Sequence, residues 1–417
     1  MKKCPRFFVV LFCLLLVLGM IASGCSNTPD TPETPADTPA ESTPPVESGG
    51  NDEPADDNGV AVDAWDISML SVLTGPVAFA GVPAGWGAQY AAKEINDQGG
   101  IRGVPVNIDV RDTAFDPAKA VSEMSAIVDN ALVVLGPMDG PGFDAAGQVA
   151  ADAKVHAIGA AAEHSIREKY SPYASSYMID SDKGAAKAVK KWLELNPDFK
   201  KIVIFYIPSD NANTAEYELI KNSLADFGVE LAGTVEVETG DLDLGPAATK
   251  ALGYDADAYF VNLRTEEFSR AVIELRKRGV DEGKRMMGSF SAVSSNLFDL
   301  GGDALQDVYI WNKINPNSDD SGWLDFVAAF EADNGSRPDG NTGANFYESV
   351  YLIKNAIEDL QITGDPAIRQ EERDKIAEYL LNAPPQTLIQ GTFQIVDGEK
   401  VAEPFLFQLI DNAYVLS

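Results

Sequence analysis

Three cysteines and two histidines are all that 417 residues contain, and the cysteines stand at positions 4, 13 and 25. Everything after residue 25 therefore lacks the means for a disulfide, a zinc–thiolate site or a cysteine nucleophile. His156 and His164 are too few for a histidine-rich metal centre, and each reads as an ordinary loop or strand-end residue. Basic residues are scarce as well: 32 Lys and Arg against 64 Asp and Glu leave a formal net charge of −32. Such a chain has no basic face to displace counterions from a phosphate backbone, so nucleic acid is excluded as a partner. Neither a Walker phosphate loop nor a Gly-x-Ser-x-Gly elbow occurs, and no cofactor or metal is expected.

One long apolar run is present, from Phe7 to Ala22, preceded by Lys2, Lys3 and Arg6. It is short for a membrane-crossing helix, which needs about 20 apolar residues, and it has the positive flank of an export signal. It closes on Ala22-Ser23-Gly24-Cys25, which resembles a bacterial lipobox. Residues 1–25 are thus expected to be a lipoprotein signal peptide, with Cys25 lipidated and the chain anchored outside the cytoplasm on the cell membrane. An uncleaved anchor with an incidental cysteine is the alternative. Residues 26–63 then hold seven prolines, ten acids and no Lys or Arg. Repeated Thr-Pro and like charges favour an extended coil that buries no core. As a disordered tether it reaches on the order of 100 Å.

From Ala64 onward, short apolar strands alternate with amphipathic helices. Asp66 to Leu73 reads as a buried strand ended by Thr74-Gly75-Pro76, and Ala84, Ala88, Ala91 and Ile95 line one face of the next helix. Asp116-Pro117 supplies an N-cap followed by proline at the first helical position. The alternation restarts after Asp180, with Lys201 to Tyr206 as a second buried strand. Two such runs predict an α/β fold of two doubly wound, Rossmann-like lobes. Ligands of such sheets bind beyond the carboxyl ends of the strands.

Leu73-Thr74-Gly75-Pro76-Val77-Ala78, Gly81, and Glu94 to Val106 (EINDQGGIRGVPV) carry a longer message. Together with Asp112, Asp116-Pro117, Phe346-Tyr347-Glu348-Ser349-Val350 and Gly391-Thr392-Phe393 before Asp397-Gly398, they resemble the branched-chain amino acid (leucine/isoleucine/valine) binding proteins. These are type I periplasmic solute-binding proteins of ABC importers. The resemblance spans 64 to 417. It implies a three-crossover hinge, with lobe 1 at 64–178 plus 312–401 and lobe 2 at 179–311 plus 402–417. It also implies a monomer, a small-molecule ligand between the lobes, an ABC permease as partner, and binding without catalysis.

At the positions where that family grips an amino acid, this chain differs. The hydroxyl expected in the first loop falls at Gly140, next to Asp139, and the second falls near Glu163, just past Ala161. The ammonium-binding acid falls near Phe290, and the covering aromatics near Ala80, Asn211 and Arg264, with Phe79 beside the first. A carboxylate at Glu163 cannot accept another carboxylate without a proton or a bridging cation. The expected ligand is therefore small and polar, an amino acid, amide or related compound, rather than a simple branched-chain amino acid. Glu163 would meet a donating group and Arg264 an acidic or carbonyl group. The two could equally pair with each other or face water. Asp241-Leu-Asp-Leu-Gly245 lacks the distal acid of a calcium loop and reads as a turn, and the acid pairs Glu266-Glu267 and Glu371-Glu372 read as solvated helix faces. Two other readings remain open: a ligand-sensing subunit signalling to a membrane receptor or kinase, and a surface enzyme on the same scaffold. The lack of a nucleophile–base set disfavours the enzyme.

Overall fold

A computed structural model describes residues 59–161, 164–294, 296–338 and 340–417. The signal segment with Cys25, nearly all of the tether, and Glu163 lie outside the described residues. The first sheet is assembled from β1 (Trp65–Ser71), α1 (Ala78–Asp97), β2 (Val106–Asp112), α2 (Pro117–Ile127), β3 (Val133–Leu135), α3 (Gly140–Asp152), β4 (His156–Gly159), α4 (His164–Tyr170) and β5 (Ala174–Ser176). Its five strands run parallel in the order β2-β1-β3-β4-β5. Strands β3 and β4 are buried throughout, as parallel strands covered on both faces must be. The sequence pattern gives no sign of α4 or β5, which have seven and three residues and show no usable periodicity.

The second sheet follows with α5 (Ser181–Leu195), β6 (Lys201–Tyr206), α6 (Asn211–Ser223), β7 (Glu230–Glu236), α7 (Gly245–Leu252), β8 (Ala258–Val261), α8 (Thr265–Lys277), β9 (Met286–Gly288), α9 (Leu297–Gly301) and β10 (Tyr309–Asn312). The chain then returns to the first sheet through α10 (Ser321–Asn334), α11 (Thr342–Asp359) and α12 (Arg369–Leu381), and forms an antiparallel meander of β11 (Gln386–Leu388), β12 (Gly391–Val396) and β13 (Glu399–Val401). Strands β14 (Phe405–Ile410) and β15 (Ala413–Leu416) close the second sheet, whose order is β15-β14-β10-β9-β8-β6-β7. β14 and β15 are antiparallel to their neighbours. The chain passes between the sheets three times, after β5, β10 and β13. This is the two-lobed α/β architecture.

Each sheet carries apolar side chains on both faces. Trp323 and Phe326 of α10, Val350 of α11 and Ile376 of α12 share one cluster with Met69 and Ile95. Helix α1 packs tightly on α11 at Gly87, where a Cβ would stand 2.0 Å from the Gly343 carbonyl oxygen. Only a residue without a side chain permits that approach. The acid pairs correct the reading of solvated faces. Glu267 is buried and accepts the Gly240 N–H at 2.7 Å. Glu372, also buried, accepts the N–H groups of Thr363 and Gly364 at 2.6 and 2.9 Å. Both acids satisfy loop donors that periodicity cannot reveal.

Replacing Gly87 by Ala should force α1 and α11 apart and destabilise the fold by roughly 1–3 kcal/mol, the usual cost of overpacking. Urea unfolding followed by circular dichroism should show a lower midpoint with an unchanged slope. An unchanged midpoint would mean that the helices are free to separate.

Candidate functional site

In the first sheet the strand-end loops are fixed by their own polar groups. Asp112, at the end of β2, accepts the Leu73 N–H at 2.8 Å and the Thr74 hydroxyl at 2.7 Å, which pins the loop between β1 and α1. Burial opposes its charge, but the Thr74 hydroxyl, the Ala114 and Leu73 N–H groups and Lys119 hold it below the usual carboxylate range. Phe79 lies beyond this loop and is 72% exposed. Ala80 is half-buried, and its carbonyl accepts the Thr342 hydroxyl at 2.9 Å. After β3, Asp139 caps α3 by accepting the Gly142 N–H at 2.7 Å. Its other carboxyl oxygen is buried without a partner, and burial raises its pKa despite the Gly142 bond. Gly140 begins α3 with open space where a Cβ would stand, so the backbone there is bare. Ala161, after β4, is fully buried, and its carbonyl accepts from Arg167 at 2.7 Å.

In the second sheet, Asn211 begins α6 behind its N-cap Asp210. Arg264, at the N-terminus of α8, donates its Nε to Asp210 at 2.8 Å and pairs with it through a second nitrogen at 2.6 Å. Its guanidinium is thus engaged within its own lobe. Phe290 follows β9 and tilts against Trp311 with ring centroids 5.1 Å apart. Lys313 Nζ sits 4.2 Å from the Phe290 centroid.

Around Phe290 lies a polar cluster that motif matching missed. Ser289 donates to Glu216 Oε2 at 2.7 Å, and Asn262 donates its amide to the Asn213 carbonyl at 2.9 Å. Glu216, Asn213, Asn262 and Ser289 are each 0% exposed. Glu216 Oε1 and the Oδ1 atoms of Asn213 and Asn262 have no partner. Because Asn262 Nδ2 is held by a carbonyl, its Oδ1 is fixed as an acceptor. Burial pushes the Glu216 carboxyl up to about 8, against the lowering effect of Ser289 and Lys313. Burial also brings Lys313 down to about 8, with Glu216 the largest opposing influence. Lys313 Nζ donates to Ser181 Oγ at 2.8 Å, so it links the second crossover to the start of α5. Asn262 and Lys313 directly follow apolar strands, a placement legible in the sequence. Glu216 lies on a helix with nothing to single it out.

A second set of charges ties the crossovers. Arg167, with a side chain 3% exposed, reaches Asp180 at 3.0 Å and Glu399 at 3.3 Å, and Lys183 pairs with Glu399 as well. Burial lifts Asp180 to about 6 even though Arg167 pulls the other way. Ile179 of the first crossover and Lys400 of β13, the strand before the third, form a parallel bridge. His156 is an inert core residue. It bonds to the Pro172 carbonyl and Ser175 hydroxyl at 2.9 Å each, and burial depresses it to about 4. Among the described residues no three His, Cys, Asp or Glu side chains gather as a metal site, and no helix is long and apolar enough to cross a membrane.

A family model described as periplasmic binding protein matches residues 64–407. A Leu/Ile/Val-binding protein of Rhizobium johnstonii is 41% identical over 73 residues, 17% of this chain and 20% of that protein. The leucine-, isoleucine-, valine-, threonine- and alanine-binding protein of Pseudomonas aeruginosa is 23% identical over 302 residues, 72% of this chain and 79% of that protein. A leucine-binding protein from Thermotoga maritima has a similar structure, with a TM-score of 0.65 at 18% identity, covering 84% of this chain and 97% of that one. A branched-chain amino acid transporter substrate-binding protein from Streptococcus pneumoniae, solved with isoleucine, gives 0.65 at 20% identity, covering 85% and 99%. At these identities the solved structures speak for the fold, and the relatives are binding proteins rather than enzymes.

Glu216 supplies a pH test. Its folded pKa of about 8 exceeds its ordinary 4.5. Between those values the folded chain holds a proton that the unfolded chain has lost, so its contribution is complete below the lower value and gone above the upper. Wild-type stability should therefore fall relative to Glu216→Gln by up to about 1.4 kcal/mol per pH unit within that window. Parallel melting profiles for the two proteins between pH 5 and 8 would show that Glu216 ionises normally.

Proposed function

The chain belongs to the periplasmic binding protein family, and from that premise we propose a lipid-anchored, extracytoplasmic solute-binding protein. It delivers a small polar ligand, an amino acid, amide or related compound, to an ABC importer by hinge closure. The lobes are 64–178 with 312–401 and 179–311 with 402–417, and the ligand lies between their strand-end loops. The observation that carries the ligand class is the set of buried, unpaired oxygens on Asn213, Glu216 and Asn262. Buried polar atoms without partners are costly, and a ligand bringing N–H groups into an opened cleft would relieve that cost at the Asn213 and Asn262 oxygens, and at Glu216 once its proton is lost. The relatives' names support an amino-acid-like solute. Gly140 and Phe290, standing where a hydroxyl and an acid are expected, argue against a simple branched-chain amino acid.

Phe79, Ala80, Asp139, Gly140, Ala161 and Glu163 of lobe 1 face Asn211, Arg264 and Phe290 of lobe 2 in this reading. Closure is a population shift: a ligand touching both lobes binds the closed form more tightly and draws the chain toward it. Cys25 would hold the chain at the membrane, with the acidic tether as its leash. Cys25→Ser should abolish incorporation of labelled palmitate and release the chain from the membrane fraction. Retained label would dismiss the anchor.

A thermal-shift screen of amino acids, amides, urea derivatives, short peptides and polyamines tests the ligand class. A compound at a hundredfold excess over its Kd adds about 2.7 kcal/mol, which such a screen detects. The same compound should reduce the radius of gyration in solution scattering. A ligand cation reaching Glu216 would restore its carboxylate and release a proton at pH 7, seen as a buffer-dependent calorimetric enthalpy that Glu216→Gln removes. If no compound in the panel shifts the melt or the scattering, the transport reading fails.

A further inference from the structure

Among the described residues, five helices begin behind an aspartate. Asp116, Asp139, Asp210 and Asp320 each turn the carboxylate back to accept N–H groups of their own helix. Asp180, at the head of α5 on the first crossover, makes no such bond. Its two oxygens are drawn instead to the terminal nitrogens of Arg167, on α4, at 3.1 and 3.0 Å. A helix start that forgoes its cap gives up a stabilising bond. This carboxylate serves the contact between segments rather than the helix it begins.

The charges around Asp180 balance only through one loosely held partner. The Arg167 nitrogen that meets Asp180 Oδ2 also reaches Glu399 of β13 at 3.3 Å, so two carboxylates share one buried guanidinium. The second cation is Lys183 of α5, which pairs with Glu399 and stands 3.7 Å from Asp180. The Asp180 side chain is 4% exposed and that of Lys183 46%. Lys313, on the second crossover, acts on Asp180 from farther away. When Lys183 swings into water, two acids are left beside one guanidinium in a dry site, and a proton is the charge that can replace it. The balance is thus set jointly by α4, α5 and β13, around the segments by which the chain passes between its sheets.

We propose that Asp180 is a proton-operated latch of the hinge. Protonated, its carboxyl keeps the crossovers in the packed arrangement seen here, and ionised it favours arrangements in which it reaches water. Burial gives the direction: it lifts the carboxyl to about 6 from an ordinary 3.8, although Arg167 pulls the other way. The packed arrangement therefore holds the proton more tightly than any arrangement that hydrates Asp180. Acidification through about pH 6 draws the chain toward the packed arrangement, and a rise in pH releases it. The latch concerns the crossovers alone and does not depend on what the cleft binds.

Backbone hydrogen exchange of the full chain, without ligand, reads the latch. The amides to follow lie in 176–184 and 398–404, where the Ser176 N–H meets the Gly398 carbonyl at 2.7 Å and the Gly184 N–H that of Asp180 at 3.0 Å. After correction for the intrinsic pH dependence of exchange, their protection should rise about tenfold from pH 8 to pH 5, the amount that a carboxyl shifted from 3.8 to about 6 supplies. Asp180→Asn, uncharged at every pH, should hold the pH 5 level throughout. Lys183→Met alters only a half-exposed cation and keeps the test open if the first variant fails to fold. It should move the midpoint up by about half a pH unit. Protection that stays flat across this range in the wild type would overturn the proposal. So would an unchanged pH profile in a folded Asp180→Asn chain, or an unmoved midpoint in Lys183→Met.

Discussion

The buried guanidinium of Arg167 is the constraint on which the two-lobed arrangement turns. It is brought out of water between Asp180, at the first crossover, and Glu399, on the strand that leads to the third. A buried charge is tolerated only when it is paired, and here the Ala161 carbonyl and the carboxylates of Asp180 and Glu399 accept from its two terminal nitrogens. The Ile179–Lys400 bridge then holds the same two segments through the backbone. Breaking one partner would leave the others charged and dry, so the crossovers are specified as a unit. The Ala161 bond extends that unit to a loop of the candidate site.

The two lobes treat their strand ends differently. In the first, polar groups are spent on shaping the loops: Asp112 pins the loop after β1, and Asp139 caps α3. In the second, they are buried without full satisfaction, and Glu216 and Lys313 both have pKa values near 8. Native interiors rarely leave several polar atoms unpaired in one place, which is why this cluster outweighs the exposed Phe79 or the paired Arg264 in the functional reading. Lys313, on the second crossover, joins that cluster to the start of α5 through Ser181.

Much of the fold was legible because periodicity and turn chemistry are local. Asp116-Pro117 announced α2, and Asp116 does accept the Ala118 N–H at 2.8 Å. The buried strands at Asp66 and Lys201 lie within a residue or two of their observed places. The site was less legible. Arg264 is conspicuous as a charge in a strand-end loop, yet Asp210, 54 residues earlier, engages it. Glu267 and Glu372 look like members of solvated acid pairs, yet loop N–H groups draw them inward. Glu348 lies inside the quoted Phe346 to Val350 motif, but its partner Lys400 is 52 residues away.

By itself the sequence determined the alternation of strand and helix, the two runs of it and the family, because each is written in residues close together along the chain. Only the tertiary structure decided which charges are buried, which pairs they form and where polar atoms remain unmatched. Those outcomes depend on distances between residues tens to hundreds of positions apart, and on the loss of water between them, which no local pattern encodes.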